Sequence, residues 1–160
     1  MATPDFIMLV GVPGSGKSTW TRQFLETATK TFAVISTDDV LEGIAASRGI
    51  SYSEAFKKYF KAAKREALQR FEHAKAAGYS IVWDQTNMAS SKRKSVLASV
   101  PKDYIKTAMV FIVPEAELNC RLAAREAETG KHIPPFVMRD MFKNYEEPTK
   151  AEGFDQVLFV

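Results

Sequence analysis

"GVPGSGKSTW" (residues 11–20) follows the apolar run "FIMLV" (6–10) and opens a stretch of helical periodicity over 17–27. Within it, Gly11, Gly16, Lys17 and Ser18 complete the pattern G-x-x-x-x-G-K-[ST], between a predicted strand and a predicted helix as the mechanism of that pattern requires. The glycines let consecutive backbone N–H groups turn inward around a polyphosphate, and the helix N-terminus adds partial positive charge. Lys17 is expected to reach the β and γ phosphates, Ser18 to hold Mg2+ and Thr19 to reach the α phosphate. Gly11, Pro13, Gly14, Ser15, Gly16, Lys17, Ser18 and Thr19 therefore form the expected nucleotide-binding set.

Outward from this loop, "FIMLV", "FAVIS" (32–36), "SIVWD" (80–84), "IKTAMVFIV" (105–113) and "QVLFV" (156–160) read as strands buried on both faces. They alternate with helical patterns at 17–27, 39–46, 53–77, 91–99, 115–128 and 135–145. This alternation predicts an α/β fold, a five-stranded parallel sheet flanked by helices, as one domain over 1–160 with a helical lid near 115–133. The apolar terminal strand suggests one domain of a longer protein. In the longest helix, Ser53 is the expected N-cap, Gly78 the stop, and Phe56, Phe60, Ala63, Ala67 and Phe71 the buried stripe.

Composition narrows the class. Hydrophobic content is 46%, charged content 26% and net charge +3. No run is long enough to cross a bilayer and no leader is evident, so a reducing compartment, cytoplasm or nucleus, is expected. Cys120 has no partner for a disulfide and no ligand cluster around it, and reads as a small core residue.

Three polar stretches at expected strand ends or on the lid bear on where the γ-phosphoryl goes. In "ISTDDV" (35–40), Asp38 stands at the edge where ligands of open α/β sheets collect, able to orient an acceptor hydroxyl; Thr37 or Asp38 alternatively caps the next helix. In "IVWDQTNM" (81–88), Asp84 is placed to hold water on Mg2+, with Thr86, Asn87 and Arg93 lining the acceptor side; the other reading is a polar turn capping the following helix. In "ELNCRLAAREAE" (117–128), Arg121 and Arg125 share a helix face and serve either as lid cations over the phosphoryl group or as a solvated face paired with Glu117 and Glu128.

Together these stretches resemble the kinase domain of polynucleotide 5'-kinases, a branch of the P-loop kinases related in fold to adenylate kinase. "GVPGSGKSTW" looks like the family's P-loop, "ISTDDV" its general-base segment, "DQTN" its D-x-T-N strand end, and Arg121 with Arg125 its lid. "HIPPFVMRDMFKNYEEPTKAEGFDQV" (132–157) is similar to the segment after the lid, so the likeness runs over nearly the whole chain. The resemblance implies ATP with Mg2+ as donor, a 5'-hydroxyl polynucleotide as acceptor, Asp38 as the residue activating that hydroxyl, and Lys17, Arg121 and Arg125 as phosphate-neutralising groups. From the composition, no membrane partner and no metal cluster are expected. Where the family often carries an arginine three residues after the catalytic aspartate, this sequence has Leu41, so acceptor contacts are expected from Arg48, Arg93 or the basic helix at 53–77.

On that helix Lys57, Lys61 and Lys64 share a face and either follow the phosphates of a strand or form an ordinary solvated surface. Tyr52, Tyr59 and Trp83 either stack on a base or pack in the core. Two alternatives to the polynucleotide reading remain: a kinase of a small hydroxyl compound such as a nucleotide sugar, an antibiotic or a sugar acid, and a nucleotide-dependent switch or binding module.

Overall fold

The structure, a computed structural model, describes residues 2–160. Five strands, β1 (Asp5–Val10), β2 (Phe32–Ile35), β3 (Ser80–Asp84), β4 (Ile105–Val110) and β5 (Gln156–Phe159), form one sheet in the order β2-β3-β1-β4-β5. Every pairing is parallel, with Phe6 opposite Ile81 and Lys106, and Met8 opposite Trp83 and Ala108. The helices are α1 (Lys17–Thr27), α2 (Thr37–Arg48), α3 (Tyr52–Ala76), α4 (Ser90–Ala98), α5 (Glu115–Thr129) and α6 (Pro135–Asn144). The α/β architecture expected from the alternation is therefore the architecture present.

Period-two alternation in β1 divides the core. Phe6, Met8 and Val10 point into one layer with Ile81, Trp83 and the α3 residues Ala67, Phe71 and Ala74. Ile7 and Leu9 point the other way, joining Val82, Phe111 and the α1 residues Trp20 and Phe24. Because β1 is central and apolar on both faces, the loop that follows it is anchored on a rigid strand.

Several sequence expectations change in detail. β5 pairs only with β4 and leaves Leu158 and Phe159 exposed, so it is an edge strand and not one buried on both faces. β4 stops at Val110, three residues before the end of its apolar run, and Ile112 is exposed. Ser51, not Ser53, caps α3 by accepting a hydrogen bond from the Glu54 N–H at 3.1 Å. Ala55, Ala63, Ala67, Phe71 and Ala74 form its buried stripe, whereas Phe56 and Phe60 stand 46% and 39% exposed. Cys120 is exposed as well, because Leu118 and Leu122 set the inward face of α5 and residue 120 falls on the opposite side.

Candidate active site

The turn between β1 and α1 has the backbone that its glycines permit. Gly14 (φ 82°) and Gly16 (φ 103°) occupy the left-handed region, and Gly16 leads directly into Lys17 at the start of α1. A Cβ on Gly14 would meet Leu122 Cδ2 at 3.1 Å and Leu118 Cδ1 at 3.3 Å, so the lid helix α5 rests on the phosphate loop. Val12, Met88, Leu118 and Met138 bury one another at this junction and join the loop, the β3 end, α5 and α6.

Lys17 crosses from the loop to the end of β3. Its Nζ donates to the Gln85 carbonyl at 3.2 Å and lies 4.0 Å from Asp84 Oδ1. Burial lowers the Lys17 pKa, opposed by Asp84 and Asp38, and Arg125 lowers it further. Burial correspondingly raises the Asp84 pKa, with Lys17 opposing and Asp39 and Asp38 adding to the rise. Charges from the loop, the ends of β2 and β3, and the lid thus converge on one cleft.

Asp38 is free to serve that cleft because the capping task falls to its neighbour. Ser36 accepts the Asp39 N–H at 3.2 Å and is the N-cap of α2, in place of Thr37 or Asp38. The exposed Asp38 carboxylate instead accepts a hydrogen bond from the Tyr52 hydroxyl at 2.6 Å. Tyr52 in turn lies under Lys131, whose Nζ is 4.5 Å from the ring centroid. Lys131 is buried and also pairs with Glu42 on α2, tying the segment after the lid to the acceptor side. Burial and the bond to Asp38 raise the Tyr52 pKa, which keeps its hydroxyl protonated as a donor.

The lid arginines separate into two roles. Arg121 Nη1 reaches the Gly14 carbonyl at 3.3 Å while Nη2 bonds Glu117 Oε1 at 2.6 Å, so the loop contact and the i,i+4 pair coexist. Arg125 is half-buried, and its charge acts on Lys17, Tyr52 and Asp84 alike.

Two expected acceptor contacts are overturned. Arg93 is fully buried: Nη1 donates to the carbonyls of Asn87 and Met88, both at 2.8 Å, and Nε to Glu152 Oε1 at 2.9 Å. No part of its guanidinium faces the cleft. Asn87 is buried too, at φ 53°, with Nδ2 donating to the Leu9 carbonyl at 2.6 Å and Oδ1 accepting the Trp83 Nε1–H at 3.1 Å. It clamps β3 to β1, and it removes Trp83 from any stacking role. Thr86 contributes its backbone carbonyl, which accepts the Gly11 N–H at 3.0 Å, and its side chain is half-buried. Ser18 and Thr19 remain exposed on the first turn of α1.

Leu41 also takes on a different meaning. It is fully buried among Val40, Ala45, Ala55 and Ala63 between α2 and α3, facing away from the cleft. Its apolar character follows from that packing and carries no information about the acceptor.

Sequence reasoning missed Gln85 and Lys131 and misread Tyr52. Gln85 links the halves of the site, its carbonyl on Lys17 and its Nε2 donating to Thr37 Oγ1 at 3.0 Å. The local signal for Tyr52 was present: Ser51 and Glu54 mark the start of α3 and fix Tyr52 in its first turn. Lys131 had no comparable signal, because a lysine just past a helix end is ordinarily solvated.

A family model described as an AAA domain matches residues 6–148. Human heterogeneous nuclear ribonucleoprotein U-like protein 2 is 25% identical over 160 residues, which cover 97% of this chain and 21% of that protein. The chain thus spans about a fifth of the length of the curated relatives it matches. Among solved structures, a chain of the Pnkp1/Rnl/Hen1 RNA repair complex aligns with TM-score 0.71 at 21% identity, over 90% of this chain and 44% of that one. A gluconokinase from Sinorhizobium meliloti aligns with TM-score 0.56 at 23% identity, over 100% of this chain and 83% of that one. Both likenesses are of fold alone.

Proposed function

This chain belongs to the AAA domain family, and from that premise we propose that it transfers the γ-phosphoryl group of ATP to the 5'-hydroxyl end of a polynucleotide. The observation that carries the reading is the placement of Asp38. It is exposed in the first turn of α2, just past β2, held by Tyr52, and close enough for its charge to act on Lys17 and Asp84. A hydroxyl at the end of a long chain can reach such a carboxylate while the chain itself stays outside.

In this reading the backbone N–H groups of Gly14 and Gly16, together with Lys17, hold the phosphates, the Gly11 N–H being engaged by Thr86 and the Ser15 N–H by Val12. Asp38 orients the hydroxyl for in-line attack and takes its proton late in a loose transition state. Arg121 and Arg125 offset charge on the transferring group. Ser18 and Asp84 suit Mg2+, since a hydroxyl and a carboxylate supply oxygen donors only, with water completing the shell. When bound, the ion neutralises charge on the β and γ phosphate oxygens.

A second reading, a small hydroxyl compound as acceptor, is favoured by one observation: Lys131, Glu42 and Tyr52 cover part of the acceptor side. Radiolabelled γ-phosphate transfer from ATP separates the two. The assay offers 5'-hydroxyl oligonucleotides, sugar acids and other small hydroxyl compounds, or no acceptor. Labelling of oligonucleotides is expected, lost in Asp38→Ala with ATP affinity retained. Normal turnover by Asp38→Ala overturns the general-base assignment, and labelling confined to small compounds overturns the polynucleotide acceptor.

A further inference from the structure

Along the N-terminal half of α3 runs a row of aromatic rings, of which Phe56 and Phe60 lie outside the buried core. The Tyr52 and Phe56 centroids are 6.3 Å apart and those of Phe56 and Phe60 4.9 Å apart. Phe56 and Phe60 are 46% and 39% exposed, an unusual burden for two adjacent phenylalanines on one helix face. The row begins at the active site, because Tyr52 holds Asp38.

Cations border the rings. Phe56 and Phe60 neighbour Lys57, Lys58 and Lys61 on the open surface of α3. At about 100° per residue, Lys57, Lys61 and Lys64 fall within an arc of roughly 60° beside the phenylalanine pair. None of these four lysines takes part in an ion pair among the described residues, unlike Arg70 and Lys75 further along the same helix. Unpaired lysines around exposed rings complement a ligand that carries both flat apolar faces and a line of negative charge.

We propose that the α3 face formed by Phe56, Phe60, Lys57, Lys61 and Lys64 is a binding track for single-stranded nucleic acid. Bases stack on the two rings while the lysines engage phosphates. The Phe56–Phe60 step of 4.9 Å exceeds the spacing of about 3.4 Å per nucleotide in a duplex strand, which favours splayed bases over a stacked duplex. The direction of the strand, 5' end toward Asp38, rests on the kinase reading; the track itself does not.

The test is fluorescence anisotropy with labelled 5'-hydroxyl oligo-dT and oligo-U, and a blunt hairpin duplex as comparison, without nucleotide. Single strands are expected to bind in preference to the hairpin. Removing each ring, as Phe56→Ala or Phe60→Ala, is expected to weaken single-strand affinity about 5- to 100-fold without changing its salt dependence. Replacing Lys57, Lys61 and Lys64 together by alanine is expected to flatten the log–log salt slope by about 2. Phe56→Trp and Phe60→Trp are expected to retain affinity, and thermal melting checks the folding of these surface variants. Wild-type affinity in the ring variants overturns the track, as does a loss of self-association in them with nucleic-acid binding unchanged.

Phosphoryl transfer to long strands separates this inference from the kinase reading. Binding that depends on Phe56 and Phe60, with no transfer to any polynucleotide, upholds the track and overturns the kinase reading. Transfer with an unchanged KM in the ring variants overturns the track alone.

Discussion

Arg93→Met is the substitution that most sharply separates a structural arginine from a substrate-binding one. The Arg93 side chain is 0% exposed and that of Glu152 4%, with Nη2 and Oε1 2.8 Å apart. Removing one partner of a buried pair leaves the other charge uncompensated, a loss of about 3–5 kcal/mol. For a chain of this size, that corresponds to a fall in Tm of roughly 6–20 °C. Glu152→Gln in the same chain is expected to recover part of the loss, since removing both charges of such a pair costs far less than removing one.

The pH dependence follows from Glu152. Burial raises its pKa, but hydrogen bonds from Ser90, Thr149 and Arg93 outweigh this and hold it below the ordinary carboxylate value. A carboxyl depressed on folding adds stability that is complete above its unfolded pKa and is lost as pH falls through the folded value. Without Arg93 part of that depression disappears, so the gap between wild type and Arg93→Met is expected to be widest near neutral pH and to narrow on acidification. Urea denaturation at several pH values measures both effects. A variant within about 2 °C of the wild-type Tm, with a raised acceptor KM, would refute the structural assignment and return Arg93 to the cleft.

Two further outcomes test the site. Tyr52→Phe removes the donor to Asp38 and is expected to lower kcat about tenfold with the KM for ATP unchanged, as loss of a charge-assisted hydrogen bond implies; an unchanged kcat removes Tyr52 as a positioning residue. Because burial raises the Asp84 pKa, activity is expected to fall on its acid side at a pH above the ordinary aspartate range, and added Mg2+ to move that limb to lower pH; a limb that ignores Mg2+ contradicts the metal role.

The stretch most specific to the family likeness proves to be a structural latch. In "PTKAEGF" (148–154), Thr149 and Glu152 form a capping box around a short 3-10 turn, Gly153 takes φ 123°, and Phe154 is buried in the main core. Glu152 then grips Arg93, which grips the carbonyls of Asn87 and Met88 just past the end of β3. This stretch therefore braces the end of β3 from behind.

What the sequence alone determined was whatever depends on neighbours along the chain. The phosphate loop was legible because its glycine conformations and its strand–helix setting are local, and the parallel sheet because apolar runs alternating with helices leave few other solutions. Asp38 and Asp84 could be placed at strand ends by the same reasoning. Tertiary structure decided which polar residues face the cleft. Arg93, Asn87 and Leu41 lie within a few residues of the site in sequence yet turn inward, because carbonyls at a strand end and the space between α2 and α3 had to be filled. Lys131 meets Tyr52 and Glu42 only because the segment after α5 folds back onto α2 and α3, and Phe56 and Phe60, on the same azimuth as the buried Ala67, Phe71 and Ala74, are exposed because the N-terminal half of α3 is not covered on that side. A helical repeat gives the spacing of a face; only packing against the rest of the molecule decides which face is buried.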